Sequence, residues 1–224
     1  MKQLALPFAD AESYAAEDFC PAPSNAAARE MLRHPDGWSQ SRLILWGEAG
    51  CGKTHLLTIW AQANGAEIVA ASNLQGLRRI RTPIALDDAD LAPDPVALLH
   101  LLNATAEAGF ALLLAARLPP ARMAYKLGDL TSRLRASSAV EIRPPEDELL
   151  EQLLTRLAAQ RQLALSIPVR NTLLLHLPRA PAYYREAVAR LDHAGLDRAG
   201  LAGGKKITRA LALEIVTGLL RDEP

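Results

Sequence analysis

Gly47-Glu48-Ala49-Gly50-Cys51-Gly52-Lys53-Thr54 is the most informative stretch of this 224-residue chain. It matches the phosphate-binding loop, in which a glycine is followed by four residues and then by Gly-Lys-Thr. The glycines let backbone N–H groups curl around phosphate oxygens, the lysine reaches the β and γ phosphates, and the hydroxyl holds Mg²⁺. We therefore predict that these eight residues bind a nucleoside triphosphate or diphosphate, with Thr54 as a Mg²⁺ ligand.

The flanks of the loop favour this interpretation. The apolar run Leu43-Ile44-Leu45-Trp46 before it is typical of a buried strand, and residues 53–61 after it are apolar at helical spacing. Strand, loop and helix is the order that the motif requires. The alternative is a glycine-rich turn that binds no ligand, and such a turn does not have to lie between a strand and a helix.

Composition limits the class of protein. Lysine plus arginine and aspartate plus glutamate both number 25, so no overall field draws the chain onto DNA or an anionic membrane. The two cysteines, Cys20 and Cys51, lack metal-ligand spacing and fit a reducing compartment. No apolar run reaches the roughly 18 residues of a membrane span, and the N-terminus does not resemble a signal peptide. We expect a soluble cytoplasmic protein.

Apolar runs alternate with helical patterns through the first two thirds of the chain. This alternation predicts an α/β fold with a parallel sheet flanked by helices, and a phosphate site at the carboxyl ends of its strands. A helix over 26–32, capped by Ser24 or Asn25, precedes the first strand. The further elements predicted are strands at 66–71, 83–87, 110–115 and 140–142, a short helix between the second and third strands, and a helix over 95–108.

Strand signals stop at Pro144-Pro145, and only helices are predicted beyond this point. Acidic residues favour a helix start at 146–148. Its buried stripe would comprise Leu149, Leu150, Leu153, Leu154 and Leu157, and further helices are predicted at 168–177, 182–193 and 208–220. We therefore divide the chain into an extended tail (1–12), a nucleotide-binding domain (13–144) and a helical domain (145–224).

Two acidic residues, Asp87 and Asp88, end the third predicted strand. A phosphate-loop nucleotidase keeps the acid that holds Mg²⁺ at this place. Asp87 is therefore the predicted metal-side acid, and Asp88 would position an attacking water. The alternative is that both acids simply start a surface loop.

Several motifs together resemble the AAA+ replication-initiator family of DnaA, over roughly residues 18 to 220. The resemblance implies an AAA+ P-loop αβα domain with a five-stranded parallel sheet, followed by a small all-helical lid. It also places Asp88 where AAA+ ATPases usually carry the longer glutamate. The motifs are Gly52-Lys53-Thr54-His55-Leu56-Leu57, the paired aspartates, Pro119-Pro120, Leu130-Thr131-Ser132-Arg133-Leu134 and Ile142-Arg143-Pro144-Pro145.

The resemblance gives Arg133 a role that the residue pattern alone does not. In that family the arginine of the Ser-Arg pair looks like a finger that reaches the nucleotide of a neighbouring subunit. A guanidinium suits this task because it stays charged and forks onto phosphate oxygens. Without the family, Arg133 is one of several surface arginines.

Two positions depart from the family pattern. The polar sensor after the fourth strand falls near Arg117, where the family usually has a smaller polar residue. The lid arginine that senses the γ-phosphate falls at Ala182, and neither Arg179 nor Arg185 is in register to replace it. These departures imply a weak or partner-dependent ATPase that keeps ADP.

The N-terminal stretch Gln3-Leu4-Ala5-Leu6-Pro7-Phe8 is similar to the peptide by which replication proteins dock on the sliding clamp. Leu6 and Phe8 would fill an apolar pocket, Gln3 would form a hydrogen bond at its rim, and Leu4 and Pro7 complete the peptide.

Only four residues follow Leu220, too few for the helix-turn-helix DNA-binding domain of the initiators. This combination resembles the Hda-type regulatory inactivators within the family.

The resemblance therefore implies a negative regulator of replication initiation. It would dock on the DNA-loaded clamp (the polymerase β subunit), contact DNA through the clamp, and promote hydrolysis of DnaA-bound ATP. The resident nucleotide (ADP or ATP, with Mg²⁺) and a homo-oligomeric state are left open. The alternatives are an autonomous nucleic-acid-acting ATPase, such as a DnaA-like protein or helicase loader, and a small-molecule phosphotransferase. Zero net charge and 4% aromatic residues disfavour the first, and the second lacks an acceptor-binding insert.

Overall fold

The structure is a computed structural model that describes residues 14–76, 79–199 and 207–221. The described residues form eight α-helices and five β-strands, with short 3₁₀ turns between them. The predicted clamp peptide, with Gln3, Leu4, Leu6, Pro7 and Phe8, lies outside the described residues.

All five strands are parallel and form one sheet in the order β2-β3-β4-β1-β5. The predicted five-stranded parallel sheet is therefore confirmed, and all five strand predictions overlap the observed ones. Every residue of β4 is buried, because helices cover both faces of the sheet. The strands are β1 (Arg42–Trp46), β2 (Glu67–Ala70), β3 (Ile84–Asp87), β4 (Leu112–Ala116) and β5 (Ser138–Glu141).

Four helices cover the two faces of this sheet. They are α1 (Pro23–Arg33), α2 (Lys53–Asn64), α3 (Pro95–Glu107) and α4 (Gly128–Arg135). Alternate residues of β1 point to opposite faces. Leu43 and Leu45 pack with α1 and α2, whereas Ile44 packs with α3 and α4. The alternation along one strand thus divides the core into two layers.

The remaining helices pack around a separate apolar cluster. They are α5 (Asp147–Gln160), α6 (Ile167–His176), α7 (Pro181–Ala199) and α8 (Arg209–Arg221). Their cluster includes Leu154, Leu173, Tyr184 and Leu191, each fully buried. The predicted stripe on α5 is buried except for Leu149, which is partly exposed. The helical region after the sheet is therefore confirmed, while its boundary near Pro144 stays a prediction.

Several local predictions were wrong. α1 begins at Pro23, three residues before the predicted start, and the Asn25 side chain lies in its first turn, accepting the Ala22 N–H at 3.1 Å. Between β2 and β3 the described residues contain a 3₁₀ turn (Ala71–Asn73) instead of a short α-helix. α4 was not predicted as a helix, because it starts at a glycine and has few apolar residues.

None of the helices in the described ranges combines the length and apolarity needed to cross a membrane.

Candidate functional site

The predicted phosphate loop leaves the carboxyl end of β1 and leads into α2. Its first residue, Gly47, donates its N–H to the Ala116 carbonyl at the end of β4, 3.2 Å away. Gly50 (φ 74°) and Gly52 (φ 99°) adopt left-handed conformations that residues with a Cβ atom rarely take. A Cβ on Gly47 would lie 2.5 Å from the Ile142 carbonyl oxygen. The glycines are therefore required by the loop geometry.

Lys53 is held against the loop that precedes it. Its side chain is buried, with 7% of the residue exposed. The ammonium donates to the carbonyls of Gly47 (2.8 Å) and Glu48 (2.7 Å), and contacts Cys51 Sγ at 3.8 Å. Because sulfur is a weak acceptor, a phosphate oxygen is the stronger partner for this third N–H. The charge thus lies where the motif requires it.

The Cys51 thiol beside this ammonium is not an activated nucleophile. Burial raises the pKa of Cys51, and the attraction of the nearby Lys53 charge only partly offsets this effect. The thiol therefore stays protonated near neutral pH. Its role in the loop is to fill space next to Gly47.

Thr54 and Asp87 form the predicted metal edge of the site. The Thr54 hydroxyl donates to Asp87 Oδ2 at 2.8 Å, and the Asp88 N–H donates to Asp87 Oδ1 at 3.0 Å. No cluster of three or more His, Cys, Asp or Glu side chains within the described ranges could hold a metal alone. This donor set fits Mg²⁺, which usually takes one or two protein oxygens together with phosphates and water.

Asp88 lies beside this pair but points into a more open environment. It is exposed and has a left-handed backbone (φ 54°) at the turn after β3. Left-handed aspartate is uncommon and is enriched at functional turns. The position suits a carboxylate that orients water at the edge of the site, and this role of Asp88 stays a prediction.

The two positions that depart from the family pattern both lie near the loop. Arg117 directly follows β4 and is exposed. The start of α7 packs on Gly50, since a Cβ at Gly50 would lie 3.4 Å from Ala180 Cβ and 3.7 Å from Ala182 Cβ. Ala182 therefore faces the loop with no side-chain donor.

The arginines that could replace a lid arginine are placed differently. Arg179 donates to the Asp147 carboxylate at 2.6 Å and to the Pro145 carbonyl at 3.0 Å, so it links the segment before α7 to the start of α5. Arg185 lies close enough to His55 for its charge to oppose protonation of that ring.

The segment before α1 that contains Tyr14, Ala15 and Phe19 closes the side of the site. The sequence does not predict this packing. His55 in α2 bonds through Nε2 to the Ala15 carbonyl at 2.9 Å, with the Tyr14 and Phe19 rings edge-on at 5.6 and 5.2 Å. A Cβ on Gly52 would lie 3.7 Å from Phe19. Burial is the main cause that lowers the pKa of His55, so the ring is a neutral donor to that carbonyl.

Arg133 is far from this cluster in the same chain. Its carbonyl accepts a hydrogen bond from the Ser137 hydroxyl at 3.0 Å. The next residue, Ser138, begins β5 and pairs with Leu43 near the amino end of β1, so Arg133 lies at that end of the sheet. The phosphate loop lies at the other end of β1, about 13 Å away at 3.3 Å per residue. The Arg133 side chain is 41% exposed and pairs with Asp129 at 3.1 Å.

Comparisons with known proteins agree with this architecture. No protein-family profile matches the chain. An uncharacterized protein of Haemophilus influenzae is 27% identical over 213 residues, covering 87% of this chain and 92% of that protein. Domain III of the Thermotoga maritima replication initiation protein DnaA superposes with a TM-score of 0.75 at 18% identity, covering 92% of this chain and 96% of that one.

More distant structures share the same fold. AMPPCP-bound DnaA from Aquifex aeolicus has a TM-score of 0.62 at 18% identity, covering 93% of this chain and 70% of that one. A Thermotoga maritima RuvB mutant has a TM-score of 0.65 at 15% identity, covering 89% and 71%. The chain therefore has the AAA+ P-loop fold, with a parallel five-stranded sheet followed by a helical lid.

Proposed function

We propose that this chain is a nucleotide-binding AAA+ regulator of DNA replication initiation, which promotes hydrolysis of the ATP held by DnaA. The observation that carries the proposal is the position of Arg133. It is half-exposed at the amino edge of the sheet, whereas the phosphate loop lies at the carboxyl edge. An arginine so placed lies away from its own chain's loop and is open to a neighbouring molecule, which supports a role on another molecule's nucleotide.

The chain's own nucleotide, ADP or ATP, would bind in the loop of residues 47–54. Lys53 supplies the charge for the phosphates, and Thr54 with Asp87 would hold Mg²⁺. The similarity to AMPPCP-bound DnaA supports a nucleotide in this fold. Hydrolysis by this chain alone is weak in our proposal, because Ala182 offers no donor to the γ-phosphate and Arg117 replaces the usual small sensor.

Arg133 would act on the partner's γ-phosphate. Its guanidinium stays ionised and forks onto two phosphate oxygens, which stabilises the charge that develops during transfer. Arginine fingers of this kind accelerate hydrolysis by roughly 10³ to 10⁵. The contact with Asp129 is exposed and weak, so it does not hold Arg133 back from a phosphate.

The N-terminal peptide would bring the protein to the clamp on DNA. Gln3, Leu4, Leu6, Pro7 and Phe8 have the order of a clamp-binding peptide. This peptide would precede the nucleotide-binding domain of residues 13–144 and the lid of residues 145–224. DNA is then contacted through the clamp.

The decisive experiment measures conversion of DnaA-bound ATP to ADP in the presence of clamp-loaded DNA. Arg133→Ala should abolish the stimulation while leaving clamp and ADP binding intact, and Arg135→Ala is the matched control on the same helix. Replacing Leu6 and Phe8 with alanine should abolish clamp binding and leave ADP affinity unchanged. A fully active Arg133→Ala protein rules out the finger, and a tail variant that still binds the clamp places the docking peptide elsewhere.

A second candidate is an autonomous nucleic-acid-acting ATPase, such as a DnaA-like protein or helicase loader. It is favoured by the shared fold with a DnaA bound to AMPPCP and single-stranded DNA, at a TM-score of 0.65. The two candidates differ in one assay. An autonomous enzyme would hydrolyse ATP faster when DNA is added without clamp or DnaA, and a regulator would not.

A further inference from the structure

Arg42, the first residue of β1, is a buried arginine with unpaired donors. Only 3% of the residue is exposed. Its Nη2 group donates to Gln40 Oε1 at 3.4 Å, a long contact, while Nε and Nη1 have no hydrogen-bond partner within the described residues. Buried charges in proteins are normally paired, because desolvation without a partner is costly. This exception requires an explanation.

The charge near Arg42 has the same sign. Burial is the main cause that lowers the pKa of Arg42, and the positive charge of Arg133 is the second. The two residues lie at the same edge of the sheet. Leu43, which follows Arg42, pairs with Ser138 in β5. Ser137, which precedes Ser138, donates a hydrogen bond to the Arg133 carbonyl.

The segment before Arg42 is fixed to the chain that leaves α4. The Ser39 N–H donates to Ser138 Oγ at 2.8 Å, and the Ser39 hydroxyl donates to the Ala136 carbonyl at 2.9 Å. Gln40 and Ser41, which lie between Ser39 and Arg42, both have left-handed backbones, with φ of 56° and 53°. Two consecutive non-glycine residues in this region are strained, and such strain persists where the surroundings enforce it, often at functional sites.

From this geometry we propose that Arg42 is a positioning residue for Arg133. Its charge is buried and therefore weakly screened by solvent, so it would repel the partly exposed guanidinium of Arg133 outward, away from the domain. It also places a second positive charge behind the point where a neighbour's γ-phosphate would meet Arg133. Burial strengthens both effects, because charges interact more strongly where the dielectric constant is low.

The inference rests on the proposed function, since it concerns the action of Arg133 on a partner's nucleotide. A purely structural role predicts something different. A residue kept for the fold stabilises it, whereas a buried unpaired charge opposes folding, so an apolar replacement of similar length should not lower stability. The effects of one substitution on stability and on partner hydrolysis therefore separate the two roles.

The test compares Arg42→Met, which removes the charge, with Arg42→Lys, which keeps it. Arg135→Met removes a charge from the exposed end of α4 and is the matched control. Stimulated hydrolysis of DnaA-bound ATP is measured at increasing concentrations of each protein on clamp-loaded DNA, beside thermal unfolding. We expect Arg42→Met to lower the maximal rate about tenfold, with little change in half-saturation and with Tm unchanged or higher. Arg42→Lys and Arg135→Met should keep the wild-type rate.

One further variant keeps the outcome decisive. Because Arg133→Ala should already abolish the stimulation, the test relies on the single Arg42 variants. Arg42→Gln, which keeps a polar group next to Gln40, is measured in case the methionine variant does not fold. A wild-type rate in Arg42→Met or in Arg42→Gln overturns the inference, as does an equal loss in Arg42→Lys with a lower Tm.

The failures of the two proposals are distinguishable. If the wild-type protein does not stimulate hydrolysis, the proposed function fails and this inference fails with it. If wild type is active, Arg133→Ala is inactive and Arg42→Met is unaffected, only the role of Arg42 is overturned.

Discussion

The Thr54 hydroxyl lies 2.8 Å from Asp87 Oδ2, although the two residues are 33 positions apart in the chain. The contact joins the first turn of α2 to the carboxyl end of β3. An oxygen pair at the amino end of a helix, beside a buried ammonium, is suited to a phosphate-bound cation. Several consequences of this arrangement can be measured.

Lys53→Ala should abolish nucleotide binding. Lys53 is the buried cation of the loop, and its ammonium is already held by the Gly47 and Glu48 carbonyls. Isothermal calorimetry with ADP measures the loss. Lys126→Ala, which removes an exposed lysine outside the loop, is the control, and unchanged ADP affinity in Lys53→Ala would refute the site.

Asp87→Asn should weaken ADP binding only when Mg²⁺ is present. The substitution keeps the shape of the side chain but removes the charge that faces the metal, and an amide oxygen is a poorer Mg²⁺ ligand. ADP affinity is compared with Mg²⁺ and with EDTA for both proteins. An equal loss in EDTA would mean that Asp87 supports the loop rather than a metal.

The purified protein should hydrolyse ATP slowly and retain ADP. The reason is the side-chain chemistry around the γ-phosphate, where Ala182 faces Gly50 without a donor. Turnover without partners and the nucleotide released on denaturation are the two measurements. Steady turnover of many per second would mean that the chain is an active ATPase.

Gly47→Ala should destabilise the domain by roughly 1–3 kcal/mol. The new methyl group would lie 2.5 Å from the Ile142 carbonyl and 2.9 Å from Cys51 Sγ, so backbone must move. Chemical denaturation gives the free energy of unfolding. Gly37→Ala is the control, because a Cβ there meets no atom within 4 Å, and equal stability of both variants would contradict the close packing.

The stability of the domain should fall on acidification, in part through His55. Burial lowers the pKa of this ring below its ordinary value of 6.5, although the Ala15 carbonyl and Asp18 oppose the shift. On acidification, His55 of the unfolded chain is therefore protonated before His55 of the folded chain. The contribution of neutral His55 to folding stability is fully present above pH 6.5 and is lost as the pH falls from there toward the folded-state pKa.

Denaturation over this pH range, for wild type and His55→Gln, measures the effect. The glutamine amide can still donate to the Ala15 carbonyl but does not titrate in this range. The variant should therefore lose less stability on acidification. The same pH slope in wild type and His55→Gln would remove His55 as the source.

The sequence predicts the parts of this site that depend on local pattern. The phosphate loop, the strand before it and Asp87 at the end of β3 follow from motif and periodicity, and all lie at the expected edge of the sheet. The environment of Arg42 could not be predicted, because a charged residue at a strand start is usually solvated. The packing of Ala182 on Gly50, and of Phe19 beside Gly52, joins distant segments and has no local signal.

The opposite placement of Arg133 and the phosphate loop also limits the symmetry of any assembly. A two-fold dimer would bring Arg133 of each molecule to the other's loop only if one self-complementary patch contained both. If the two lie on different patches, molecules that place Arg133 against a neighbour's loop associate head to tail, in a heterologous interface that closes into a ring or continues as a filament. Under the proposed function, a chain added head to tail to a row of DnaA molecules would have one polarity and would contact one terminal subunit.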